Sequence, residues 1–141
     1  QKLTDKLAEI GANLVINNLD GIISGELKPM TQNEDDATYD SLIKKEDGQI
    51  DWSKPAARLE REIRAYTGWP KSYTKLSDIE VVITKAAVAN KSTGLAGSLD
   101  LTDGLAINTG EHQLIIEELK PAGKSVMTAQ AFLAGYRQRL N

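Results

Sequence analysis

The chain has 141 residues, no Cys, a single His and a formal net charge of −3. Without thiols and with one imidazole, a disulfide framework and a Cys- or His-rich metal cluster are excluded, and the length allows one domain of about 100–150 residues with an appendage. No apolar run reaches the roughly 18 residues of a membrane span, and the opening Gln1-Lys2-Leu3-Thr4-Asp5-Lys6 lacks a signal peptide's apolar stretch, so a soluble, cytoplasmic chain without membrane contact is expected.

Leu3, Leu7, Ile10 and Leu14 recur at helical spacing, continue through Val15, Leu19 and Ile22, and stop before Gly25. This predicts one long amphipathic helix whose apolar stripe needs a partner. Residues 26–50 are polar and turn-rich, the composition of a linker; the adjacent Asp35 and Asp36 lack ligand spacing and read as solvated loop. Ser53 then offers an N-cap and Pro55 a first-turn proline, with Ala56, Leu59, Ile63 and Tyr66 on one face of a helix over about 54–66 that ends at Gly68. Lys54, Arg58 and Arg61 share the opposite face, ordinarily a solvated one. Trp52 and Trp69 flank this helix and read as packing residues joining it to the strands downstream, stacking on bases being the rarer role.

Five short strands are expected next, at 72–76, 79–87, 97–101, 105–109 and 112–119, with turns at Ser77-Asp78, Asp103-Gly104 and Gly110-Glu111. His112 falls at a hairpin tip, where an exposed turn residue is the expectation rather than an acid–base catalyst. Thr128 caps a last helix with Ala129, Phe132, Leu133, Tyr136 and Leu140 on its face. The pattern is that of an α+β chain whose strands form an OB-like five-stranded β-barrel with flanking helices.

The charge is unevenly distributed. Residues 1–50 hold five Lys against ten acidic residues, whereas residues 54–75 and 120–141 each sum to +4, separated by a segment of −5. The net charge on its face argues against a nucleic-acid partner, but it hides these two basic stretches in the total.

From Lys44-Lys45-Glu46-Asp47-Gly48-Gln49-Ile50-Asp51-Trp52 onward the sequence resembles the methionyl-tRNA formyltransferases. The likeness runs through Ile63-Arg64-Ala65 and Trp69-Pro70 and closes with Leu119-Lys120-Pro121-Ala122-Gly123-Lys124-Ser125-Val126-Met127-Thr128-Ala129 and Phe132-Leu133-Ala134-Gly135. Upstream, Lys6-Leu7-Ala8-Glu9-Ile10-Gly11-Ala12 resembles the last helix of that family's Rossmann-like catalytic domain, and Thr38-Tyr39 its linker. Two positions depart from the family pattern: Thr67-Gly68 stand where it more often has Asn-Pro, and His112 where it usually has Gly.

The resemblance implies three segments. They are 1–25, the terminal helix of a truncated catalytic domain; 26–50, a linker; and 51–141, an OB-like C-terminal domain that binds tRNA. It implies that the full enzyme formylates initiator methionyl-tRNA from 10-formyltetrahydrofolate, using an Asn-x-His pair, a later Asp and a Ser-Leu-Leu-Pro folate loop that this chain does not contain. It also implies that Lys44, Lys45, Arg64, Lys120, Lys124 and Arg137 touch the tRNA. No catalytic residue, cofactor or metal is assigned to the chain itself. Its expected partners are tRNA, the missing N-terminal catalytic domain and, through the first helix, a second copy. Two alternatives stay open: the C-terminal barrel of a sugar-nucleotide formyltransferase, and a stand-alone interaction module.

Overall fold

The computed structural model describes residues 2–140, which separate into two units, one up to Asp40 and the other from Ser41 onward. The first is built on helix α1 (Lys2–Ser24). Gly25, at φ +77°, supplies the left-handed residue that ends it, and Leu27 folds back so that its amide donates to the Gly21 carbonyl at 2.9 Å. Leu3, Leu7, Ile10 and Leu14 follow the expected helical period, yet no residue of α1 is buried. A single turn at Glu34–Asp36 comes next, with the Asn33 side chain accepting from the Asp35 amide at 3.2 Å.

The second unit begins with a 3-10 turn, Lys45–Gly48, whose preceding residue Lys44 donates its amide to Asp47 Oδ2 at 2.7 Å. Helix α2 (Ala56–Ala65) is shorter than the 54–66 expected and starts differently. Ser53 does not cap it, because its hydroxyl and amide are both taken by Asp51 Oδ1, at 2.6 and 3.0 Å. Pro55 occupies the cap position instead, and the Ala56 amide donates to the Glu111 carbonyl at 3.0 Å. A hairpin turn thus satisfies a free helix donor that a side-chain cap would otherwise take.

Six strands come after α2 where five were expected: β1 (Ser72–Leu76), β2 (Ile79–Ala89), β3 (Leu99–Asp100), β4 (Ala106–Asn108), β5 (Gln113–Pro121) and β6 (Met127–Thr128). They form one antiparallel, open sheet in the order β1-β2-β5-β4-β3, with β6 also pairing β5. The sixth strand is only two residues long and runs directly into the Thr128 cap, too short for period-2 alternation to reveal. Along β5, one side pairs with β2 throughout, while the other pairs first with β4 at Gln113–Ile115 and then with β6 at Glu118–Leu119. A bulge around Thr84 and Lys85 shifts the β2–β5 register, which bends and twists the long strands.

Helix α3 (Ala129–Tyr136) is capped as expected, Thr128 Oγ1 accepting from the Ala131 amide at 3.2 Å. Its Phe132 and Leu133 join Leu59 and Ile63 of α2, Val81 and Ile83 of β2, and Leu114, Ile116 and Leu119 of β5 in one core. Each such buried side chain stabilises the fold by about 1.5–3 kcal/mol relative to an exposed one. Arg139, beyond α3, pairs with Asp78 in the β1–β2 turn and fastens the end of the chain to that hairpin.

Candidate nucleic-acid interface

The turn at Lys45–Gly48, the residues between α2 and β1, strands β1 and β2, and the loop after β5 surround a groove of roughly 1180 Å³. Gly48 makes the first of these contacts possible. A Cβ there would stand 2.1 Å from the Lys71 carbonyl oxygen, so only glycine lets the two backbones meet. Ile50 continues the docking by donating its amide to the Tyr73 carbonyl at 3.0 Å. Lys71 itself has φ +72°, held by its amide's bond to the Tyr66 carbonyl at 2.9 Å.

Four lysines line the groove: Lys45, Lys71, Lys75 and Lys120. The one acid among the lining residues is Glu80, 3.6 Å from Lys75 across the β1–β2 hairpin. Lys120 stands opposite Val82 in the β2–β5 ladder, next to Pro121. Gly123, at φ +71°, turns the chain after β5, and Lys124 donates its amide back to the Pro121 carbonyl at 3.1 Å. Aromatic rings share the lining with the lysines, Trp69, Tyr66 and Tyr73 among them.

The two tryptophans part company here. Trp52 packs against the core as expected, its indole N–H donating to Thr74 Oγ1 at 3.2 Å. Trp69 departs from the packing role expected of it: the residue is 59% exposed, and its indole N–H donates to the Ile43 carbonyl at 3.2 Å. The cause is local, since buried Pro70 takes the place beneath the turn and leaves the neighbouring ring outside.

Of the six residues that the family resemblance singled out, the groove brings together Lys45 and Lys120. Lys44 and Lys124 are exposed and adjoin lining residues in sequence, Lys44 next to Lys45 and Lys124 next to Gly123. Arg64 lies on the surface of α2, bound through two nitrogens to Glu60 at 2.6 and 3.2 Å, and this carboxylate holds the guanidinium pKa above its ordinary value. Arg137 donates to the Leu101 carbonyl at 2.9 Å and does not line the groove. Lys54 and Arg58 share the single carboxylate of Glu62, which offsets only one of the positive charges on this face of α2, and Arg61 forms no ion pair among the described residues. Lys71 and Lys75 were legible only as members of a basic stretch. The alternation of β1 carried a finer signal, because buried Leu76 assigns Lys75 and Tyr73 to the other face of the strand.

A second polar cluster lies away from this groove. Asn108 and Gln113 are buried, and the Gln113 amide donates to Thr93 Oγ1 at 2.7 Å, Asp100 Oδ2 at 3.0 Å and Asn108 Oδ1 at 3.0 Å. The hydrogen bonds to Asp100, led by that from Gln113, hold its carboxyl well below the usual carboxylate range. His112 sits in the hairpin turn at φ +69° with Nε2 3.6 Å from Glu111 Oε1. Among the described residues no group of three or more His, Cys, Asp or Glu is placed to hold a metal ion, and no helix is long and apolar enough to cross a membrane.

Cationic side chains beside exposed aromatic faces can neutralise phosphates and stack on bases. Comparison with known proteins narrows what such a surface belongs to. The family model described as formyl transferase, C-terminal domain, matches residues 42–137. A methionyl-tRNA formyltransferase of Chloroflexus aurantiacus is 40% identical over 138 residues, covering 95% of this chain and 44% of that protein. That of Trichlorobacter lovleyi is 35% identical over 138 residues, covering 96% and 43%. The chain therefore spans less than half the length of these curated relatives. Among solved structures, a multiply substituted variant of HypX from Aquifex aeolicus superposes with a TM-score of 0.63 at 17% identity, over 90% of this chain and 23% of that one. HypX in complex with tetrahydrofolic acid gives a TM-score of 0.61 at 18% identity, over 86% and 22%. At such identities the structural likeness speaks for the fold alone. The chain belongs to the formyl transferase family, of whose members it corresponds to the C-terminal part.

Proposed function

We propose that this chain is the tRNA-holding part of a methionyl-tRNA formyltransferase. In the whole protein it would orient initiator methionyl-tRNA so that the methionyl amine reaches the formyl group of 10-formyltetrahydrofolate, a step of translation initiation in the cytoplasm. The observation that carries this reading is the groove in which Lys45, Lys71, Lys75 and Lys120 face a single acid, on a chain 35–40% identical to enzymes of that name. Lys44, Lys124, Arg64 and Arg137 extend the basic surface beyond the groove, Arg64 once it exchanges Glu60 for a phosphate. Contacts of this kind fix position without reading sequence.

In this reading residues 1–25 are the last helix of a Rossmann-like catalytic domain, 26–50 a linker, and 51–141 an OB-like domain; the bulge in β2 supports the strong bending that such a domain would need. The chain's own residues then bind and orient rather than react. Its Asn, His and Asp residues lack the family's Asn-x-His arrangement, and its one His is a turn residue. The test is binding of the chain to folded tRNA across a salt series. Dissociation constants of roughly 10⁻⁴–10⁻⁶ M at physiological salt are expected. Lys120→Ala and Lys124→Ala should each lower the slope of log affinity against log salt by about 1. Binding indifferent to salt, or no binding, would dismiss the reading.

A further inference from the structure

Phosphate neutralisation explains the lysines of the groove but leaves Trp69 without a role. Indoles are usually well buried, because an exposed ring forgoes the favourable transfer of its large apolar area out of water. Trp69 is 59% exposed, and the structure holds it there: its N–H is spent on the Ile43 carbonyl at 3.2 Å, its neighbour Pro70 is buried, and the Lys71 amide bonds the Tyr66 carbonyl. The ring is therefore fixed at one edge, without a polar atom left to satisfy. Its surroundings are the remaining constituents of a single-strand site, with Tyr73 and the four lysines lining the same groove.

A duplex can offer this surface its phosphates but no free base face for the indole, because its bases are already stacked on one another. We propose that the groove takes an unpaired stretch of RNA, one base of which stacks on Trp69 while Lys45, Lys71, Lys75 and Lys120 hold the adjoining backbone. This rests on the tRNA-holding reading and deepens it: the part of the folded RNA that enters the groove is single-stranded, and recognition there combines a salt-sensitive backbone contribution with a salt-insensitive stack.

The 141-residue chain contains only two tryptophans, Trp52 and Trp69, so its own emission reports the contact. The probes are a single-stranded RNA of about 12 nucleotides, within the range such grooves cover, and a hairpin duplex of similar length. Single-stranded RNA should quench tryptophan emission, and most of the quenching should be lost in Trp69→Phe, whose smaller ring still stacks, so that it should bind more weakly than the parent but more tightly than Trp69→Leu. Trp69→Leu should weaken single-strand binding about tenfold with an unchanged salt slope, and leave duplex binding unaltered. Circular dichroism checks that both variants fold. Quenching as large in Trp69→Phe as in the parent, or equal losses for strand and duplex in Trp69→Leu, would overturn the stack while leaving tRNA holding in place, provided the lysine variants still reduce tRNA binding. If neither tRNA nor single-stranded RNA binds the parent chain, both readings fall together.

Discussion

A methyl group on Gly48 would lie 2.1 Å from the carbonyl oxygen of Lys71, closer than any two non-bonded atoms of those kinds approach. The neighbour is backbone and cannot swing aside, unlike the Ser98 hydroxyl near Gly94. Gly48→Ala should therefore push the Lys45–Gly48 turn off the segment before β1 and destabilise the second unit by about 1–3 kcal/mol, the usual cost of overpacking. A urea midpoint unchanged from the parent would show that the two backbones have room to spare. The same displacement would move Lys45 relative to Lys71, so a fall in RNA affinity should accompany it. Gly110 is constrained in the same way, since a Cβ there would meet the Ser53 carbonyl oxygen at 1.8 Å. Both glycines hold the approach to α2 against the rest of the unit, and neither lines the groove.

Strands β3, β4 and β5 are joined by the polar cluster as well as by their ladders. Gln113 on β5 reaches Asn108 on β4 and Asp100 on β3, while Thr93 in the preceding loop bonds the last two through its hydroxyl and amide. Because β3 and β4 pair over only two positions, these side-chain bonds supply much of what fixes that edge. With the Asp100 pKa depressed in the folded state, the unfolded chain takes up the proton first as pH falls. The contribution of Asp100 is thus complete above the ordinary carboxylate range and is lost as pH drops below about 4. Asp100→Asn should be less stable than the parent at neutral pH, and the difference should shrink as the medium is acidified towards pH 2, read by thermal melts across that range. A constant difference at all pH values would mean that the charge of Asp100 does not contribute to the bond network.

At the scale of the molecule, the long apolar face of α1 is the outstanding feature. Leu3, Leu7, Ile10, Leu14, Leu19 and Ile22 are all exposed, and a stripe of this kind in an isolated helix lacks the tertiary packing from which most helix stability comes. In the proposed reading the preceding catalytic domain covers it. Prepared as 141 residues, the chain should instead bury the stripe against a second copy, since apolar area left in water is penalised by about 25 cal/mol per Å². Sedimentation should show concentration-dependent self-association that is abolished when Leu7 and Leu14 are both replaced by Glu. A parent chain that stays monomeric at high concentration would remove self-association from the proposal.

Several elements were determined by sequence alone, because their causes lie within a few residues of one another. The stripe from Leu3 to Ile22 and the left-handed Gly25 define α1, and Thr128 with Phe132 and Leu133 defines α3. The alternation of Ile79, Val81 and Ile83 begins β2. The ordered motif from Lys44 to Trp52, Trp69-Pro70 and Pro121-Ala122-Gly123-Lys124 likewise carried the family, since it depends only on residue identity and spacing. What the tertiary structure decided were matters of partners distant in sequence. Ser53 has the chemistry of an N-cap, but the Glu111 carbonyl, across the fold, takes the first helix amide. Trp69 has the residue type of a core anchor, but Pro70 occupies the interior and leaves it facing solvent. Lys120 was one basic residue of the family pattern among several until the fold set an open groove beside it, whereas Glu60, one helical turn before Arg64, is a local partner. Side-chain periodicity reports which way a residue points along its own element; which charge or ring stands opposite is fixed only when elements pack.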